Sequence, residues 1–435
     1  MMKTVTVVTK VLGINDSGVG NAGVNTDTGE CEVSQCVNMI PNKSGYLTMA
    51  PEHKFFAKAP ADITTVFSGY GRTFVQCGAV LYRLDGDVFT VITAPDLVGT
   101  VAGVVTEIDA RYTSNAITYK VVHGSNVASA CVAGVHVNPD KVITYSAMPA
   151  FSKAFTHGGS LFVVTGEFVR CSEVNHYDCW DLTDTYIWAG SGITDAGSVP
   201  GCLVLLTARK AIVITGYNKR DFKYTEYAVQ AVANTLWSGY STAAGYLHMF
   251  IAEDGVHVVT PDGKLVNTSK NKCSKNTFSG IFSGAVVNEL GYFAYSDIGC
   301  VHQSMVSAGY FKLACYGTLC SNGIVADSDC LYTIGNTQRD GKFVLPPMQF
   351  GTEHKKRVRA LYITGVIIGT VTVVLETDEG AISSVAETFT GLVQSARMQG
   401  FSTLLSTNVK VTVSFEGEYF ELHNLTAHVT VSPRY

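Results

Sequence analysis

Charge is scarce in this chain. Asp, Glu, Lys and Arg make up 15% of the residues, and the formal net charge is only -5. That balance excludes a protein that grips nucleic-acid phosphates over its whole surface, which takes a strong excess of Lys and Arg. Tryptophan is rarer still, at 3 of 435 residues, so wide aromatic platforms for stacking sugar rings are few. The 12 cysteines, scattered from Cys31 to Cys330, form no Cys-x-x-Cys pair and no Cys/His zinc spacing. They read as buried free thiols of a reducing cytoplasm. No apolar run is long enough to cross a bilayer as a helix. The most apolar one, Ala360 to Leu375, is broken by Thr and Gly and reads as strands, so no stable membrane insertion is expected. Lys3 leads into Thr-rich alternation, which predicts no secretory signal. The Leu/Ala/Glu/Lys runs of long helices are also missing, which excludes a helical bundle.

Gly, Tyr, Phe, Val and Thr fill the space, with 42 Gly, 21 Tyr and 21 Phe. This is the composition of a strand-and-turn protein. A length of 435 residues exceeds one ordinary core and predicts two or three domains.

The pattern is plainest from Gly245 to Gly263, GYLHMFIAEDGVHVVTPDG. Two apolar runs flank Asp254-Gly255, a pair that supplies the positive φ of a tight primed hairpin turn. Looser copies turn at Asp85-Gly86 and Thr165-Gly166 and near Ala208-Arg209, Ile298-Gly299 and Ser328-Asp329. Through the middle of the chain these turns lie roughly 43 to 45 residues apart, the period of a β-propeller blade. The last interval is short, so the final blade is expected to be incomplete or closed by a distant strand.

The predicted fold is all-β: a propeller over 58–94 and 150–340, with a small fibronectin-like β-sandwich inserted at 95–149. Residues 1–57 read as N-terminal strands and an extended arm. Residues 341–435 alternate strongly and read as a C-terminal β-sandwich, with hairpin turns at Asp378-Glu379-Gly380 and Glu416-Gly417. One short helix is expected, near Leu392 to Arg397.

Signals for chemistry are weak. Gly18-Val19-Gly20-Asn21-Ala22-Gly23 spells a dinucleotide fingerprint, but VNTDTGECEV follows where a helix is required. Ser296-Asp297-Ile298-Gly299 touches a sialidase Asp-box without its spacing or its Trp. Asp254, Asp297 and Asp329 sit in predicted turns, where Asp is a turn former. His157, His176, His248 and His257 stand singly on or beside strands and read as packed or exposed rather than as ligands. No nucleophile elbow, zinc-protease helix or P-loop is present. The reading is therefore no enzyme, with no catalytic, cofactor-binding or metal residues and no cofactor. His354, Lys355, Lys356, Arg357 and Arg359 form the one notable charge run. It is either a solvated linker or a contact for an acidic neighbouring subunit or DNA phosphate.

Four segments taken in order carry a resemblance: PNKSGYLTMAPEHKFF (Pro41 to Phe56); ITYKVVHGSNVASACVA (Ile117 to Ala133); GGSLFVVTGEFVRCSEVNHYDCWD (Gly158 to Asp181); and the pair PGCLVLLTARKAIVITG (Pro200 to Gly216) with FIAEDGVHVV (Phe250 to Val259). Together they resemble the β-propeller tail hub or nozzle proteins of short-tailed bacteriophages. The family's Arg-Pro-Gly in the opening segment stands here as Ala50-Pro51-Glu52. The resemblance implies a structural virion protein of the tail, assembled in the host cytoplasm. It would form a homo-oligomeric ring, commonly a hexamer, that continues the DNA-ejection channel below the head-to-tail adaptor. Such a ring retains packaged DNA, touches it transiently and anchors tail fibres or spikes; mild acidity suits a channel wall that DNA does not stick to. The alternative is a carbohydrate-binding or glycan-degrading propeller acting at the host surface.

Overall fold

The computed structural model describes the chain from Met2 to Ser432 except residues 16–27, 93–103, 108–118, 123–135, 270–282 and several shorter stretches; within 104–143 and 283–321 it describes strand backbones alone. The fold is all-β, arranged as a propeller. Among the described residues, five separate four-stranded antiparallel sheets form blades, at Ile63–Ile92, Lys153–Trp188, Ile193–Ala228, Trp237–Asn267 and Leu319–Thr337. The fifth is closed by a distant strand: Pro51–Lys58 pairs antiparallel with Cys330–Thr337. A further four-stranded meander runs from Ser283 to Ala314, and its first strand, Ser283–Val287, lies between Trp237–Ser241 and Leu319–Ser321.

The third blade shows why the sequence folds this way. Its second strand, Cys202–Thr207, is buried along its whole length, and Lys210–Thr215 is buried except at its ends. Both faces of these middle strands pack against neighbouring blades, so they read as continuous apolar runs rather than as alternation. The outer strand, Lys223–Ala228, is exposed at five of its six residues. One apolar cluster joins the second and third blades through Phe162, Val164, Leu203 and Ile212, and another joins the third and fourth through Val204, Val213 and Phe250. Each such side chain contributes about 1.5–3 kcal/mol on burial.

The hairpin of the fourth blade forms as expected, with one change. Ala252 pairs with Gly255, so the two-residue turn is Glu253-Asp254, and only Gly255 has positive φ, at 126°. Ser328-Asp329 does turn between Asp327 and Cys330, with Ser328 at φ 52°. The hairpin expected near Ile298-Gly299 also forms: Tyr295 pairs with Ile298, so Ile298 and Gly299 open its second strand.

Most of the inserted sandwich expected at 95–149 lies outside the described residues. Its described parts are two hairpins, Val104–Glu107 with Tyr119–Val122 and His136–Asn138 with Lys141–Ile143. Val104–Glu107 touches both Ile63–Gly69 and Lys153–His157, the first strands of the first and second blades.

The C-terminal region is built on three long antiparallel strands, and the chain's beginning pairs into it. We label the strands that matter β1 (Met2–Val8), β2 (Asp340–Val344), β3 (Lys356–Thr377), β4 (Ile382–Gln399) and β5 (Val409–Val431). β1 and β2 both pair with β5, β5 pairs with β3, and β3 pairs with β4. The face buried beneath this sheet includes Leu361, Ile363, Val373, Val411, Val413 and Phe420. Asp378-Glu379-Gly380 is the turn between β3 and β4, but two expectations fail here. Glu416-Gly417 is not a turn. It lies within β5 opposite a register shift at Ile368/Gly369, where two glycines meet: a Cβ on Gly417 would stand 2.5 Å from the Cα of Gly369. This is a bulge that lets two long strands cross closely. Leu392 to Arg397 is not helical but part of β4, because pairing with β3 overrides local preference.

Candidate functional site

The described residues that come together most densely lie around the first strand of the third blade, Ile193–Val199. Three pairs converge there. Asp195, buried, accepts a hydrogen bond from Lys153 on the second blade, and its other oxygen accepts the Leu236 N–H, 2.8 Å away at the edge of the fourth. His157, buried on the second blade, accepts the Ser198 hydroxyl at 2.8 Å through Nδ1 and donates from Nε2 to the Gly216 carbonyl at 2.8 Å. His248, fully buried on the fourth blade, accepts the Ser238 hydroxyl at 2.7 Å and donates to the Cys202 carbonyl at 3.1 Å. Gly216 and Cys202 lie at one end of the third blade, so two imidazoles clamp that end from either side. Ser238 packs on Gly197, where a Cβ would come within 2.7 Å of its Oγ.

A hydroxyl against an imidazole is also the arrangement of an activated nucleophile. The electrostatics decide against that use. Burial pushes the imidazole of His248 down to about 4, and burial lowers His157 too. A base that weak is poorly matched to work near neutral pH. Each Nε2 is directed at a backbone carbonyl rather than at a carboxylate; Asp221 lies near enough to favour the charged form of His157, but burial outweighs it. The Asp195 carboxylate is spent on Lys153 and two backbone N–H groups. The cluster ties three blades together.

The predicted charge run sits elsewhere and does not act as one. Its last three members open β3, while His354 and Lys355 lie in the connection before it. His354 is exposed, Lys355 pairs with Glu379 at 3.0 Å, and Arg359 donates to the Thr430 hydroxyl at 3.2 Å. Arg357 is half-buried within the strand. Lys356 is corrected outright as a surface contact. It is 0% exposed, and its Nζ donates to the carbonyls of Gln349, Thr352 and Thr407, each at 2.6 Å. Burial pushes its ammonium down to about 8, with nearby Asp378 opposing. Strand alternation turns Lys356 inward between its outward-facing neighbours.

The turn carboxylates do not converge. Asp254 holds His257 at 2.8 Å and Asn267 at 2.8 Å. Burial alone would raise its carboxyl, but those hydrogen bonds outweigh it and hold the group below the usual range. Asp329 pairs with Lys58 at 3.0 Å across the closure of the fifth blade. Asp297, His176 and the Gly18 to Gly23 fingerprint lie outside the described residues. Trp180 is fully buried, packed with Leu161 and Val163 of its own blade. No group of three metal-ligating side chains occurs among the described residues, and no helix there is long and apolar enough to cross a membrane.

One surface feature was invisible in the sequence. Trp188, on the outer strand of the second blade, is 63% exposed, yet its indole N–H donates to Glu167 at 3.0 Å. Beside it, Tyr186 packs edge-on to Phe168, and Arg170 lies over both rings. Lys210, paired with Glu226 at 2.8 Å, comes from the next blade. Only the three-strand register brings these residues to one rim.

No protein-family model and no curated protein sequence matches the chain. Solved structures that resemble it include Kluyveromyces lactis Hsv2, at 12% identity over 77% of this chain and 99% of that one, with a TM-score of 0.36. Another is the extracellular domain of a putative hybrid two-component system from B. thetaiotaomicron, at 10% identity, 94% and 64% coverage, and a TM-score of 0.43. A third is an exo-beta-1,3-galactanase from Phanerochaete chrysosporium, at 9% identity, 86% and 99% coverage, and a TM-score of 0.28. At these values none of them bears on what this chain binds or does.

Proposed function

We propose that this chain is a structural propeller of a bacteriophage virion: a tail hub or nozzle subunit that assembles as a ring and continues the DNA-ejection channel below the head-to-tail adaptor. The observation that carries the structural role is the cluster around Ile193–Val199. Its Asp, Lys, Ser and His side chains are spent on joining three blades, and burial leaves the His248 imidazole poorly matched to general-base work near neutral pH. A wall stapled in this way resists deformation under load, which is what a conduit for pressurised DNA needs. Placement in the tail rests on the ordered resemblance from Pro41 to Val259. The exposed members of the charge run, His354, Lys355 and Arg359, are the candidate contacts for a neighbouring subunit or passing phosphate. Mass spectrometry of purified virions tests the reading; absence of the chain from the particles overturns it.

The Trp188 rim favours a second reading, glycan binding at the host surface. An aromatic face held by Glu167 and flanked by Arg170, Lys210 and Glu226 offers both a stacking plane and partners for hydroxyls. A glycan array discriminates the two, since a purely structural subunit binds no sugar through Trp188.

A further inference from the structure

Two strands of the sheet that ends the chain, β1 and β4, each have one side with no strand partner among the described residues, while beside β1 the sheet continues from β5 through β2 to Gln35–Val37. β4 pairs with β3 and with no other strand among the described residues, and β1 pairs only with β5. Natural proteins blunt long edges with Pro, Lys or short strands. β4 is 18 residues long and contains no Pro and no Lys; its only charges are Glu387 and Arg397. From this sheet we infer that a second copy of the chain adds its β1 to the β4 edge, so that copies join head to tail through a continuous antiparallel sheet.

Strand direction supports this occupant. The order β1-β5-β3-β4 is antiparallel at every step, so β1 and β4 run in opposite directions. A copy placed beside β4 in the same orientation therefore presents a β1 that is already antiparallel to it. Side-chain pattern supports it as well. Val5, Ala427, Leu361 and Met398 lie in one row across the four strands, and all are buried on the core face. The next row is Thr6, Thr426, Tyr362 and Arg397, which face the other side and include the exposed Arg397. Continuing the sheet at the same level sets an incoming Val5 beside Met398 and an incoming Thr6 beside Arg397. The apolar face stays apolar and the polar face stays polar, as register in a half-buried sheet requires. A contact of this kind is heterologous, and it generates rings or filaments rather than twofold dimers.

The inference stands on strand order alone and is separable from the tail reading. Thr6 and Arg397 of one chain are three strand spacings apart, about 14 Å, beyond the reach of a disulfide. Thr6→Cys and Arg397→Cys chains, mixed at high concentration and mildly oxidised, should therefore give a crosslinked dimer containing one of each chain, with wild type as the control. The double variant should give a ladder of crosslinked species. Homodimers of either single variant, or no crosslink, overturn the inference. Electron microscopy of the double variant separates the two readings: rings without the crosslink reject this interface but leave the ring reading standing.

Discussion

The buried imidazole of His248 makes the account of the inter-blade staple measurable. Burial holds its folded pKa near 4, against an ordinary value of 6.5. The unfolded chain therefore binds more protons between those values, and stability must fall as pH drops through that window. At pH 5 the two values give a penalty of about 2 kcal/mol for His248 alone, approaching about 3 kcal/mol near pH 4. The perturbation is His248→Gln, whose amide can accept from Ser238 and donate to the Cys202 carbonyl without titrating. At pH 8 the variant should be about 1–2 kcal/mol less stable than wild type, through lost packing. At pH 5 that gap should close or reverse, because only the wild type carries the protonation penalty. Urea denaturation at the two pH values reads the difference, and His157, present in both proteins, cancels. A gap that is the same at pH 5 and pH 8 would refute the burial of a neutral His248 and, with it, the staple.

Lys153→Met leaves the buried Asp195 without its cation and should cost about 3 kcal/mol, read as a fall in the urea midpoint. Lys356→Met strips the donor from three backbone carbonyls and should cost about 3 kcal/mol; an unchanged midpoint would contradict the clamp. Gly417→Ala drives a Cβ into the Gly369 backbone and should destabilise by about 2 kcal/mol or more. Gly380→Ala is its control, in open space at φ 79°, and should cost only about 1 kcal/mol. Trp188→Ala removes an exposed ring and should leave the urea midpoint nearly unchanged, while under the glycan reading it abolishes array binding.

Local turn chemistry was legible in the sequence, and long-range partners were not. The Ser328-Asp329 and Asp378 to Gly380 turns follow from small polar residues between apolar runs, and Ala208-Arg209 turns between Cys202–Thr207 and Lys210–Thr215 as its flanking apolar runs predict. Gly417 misled because a glycine beside Glu suits a turn and a bulge equally; the choice was made by Gly369, 48 residues away in the chain. Lys356 read as one of five surface cations because its three carbonyl acceptors come partly from Thr407, across the sheet. His157 and His248 read as packed or exposed, and both are packed; their serines were not identified, and Ser198 belongs to a different blade from His157. The closing strand of the fifth blade was anticipated as distant, yet nothing local to Pro51–Lys58 marks it as the partner of Cys330–Thr337.

The proposed role as a wall of a tail conduit is tested most directly by cryo-electron microscopy of virions purified from a lysate in which the chain is made. The account predicts a ring of propellers below the head-to-tail adaptor, surrounding the channel. Particles lacking that ring, with the chain found free and hydrolysing glycans, would contradict it.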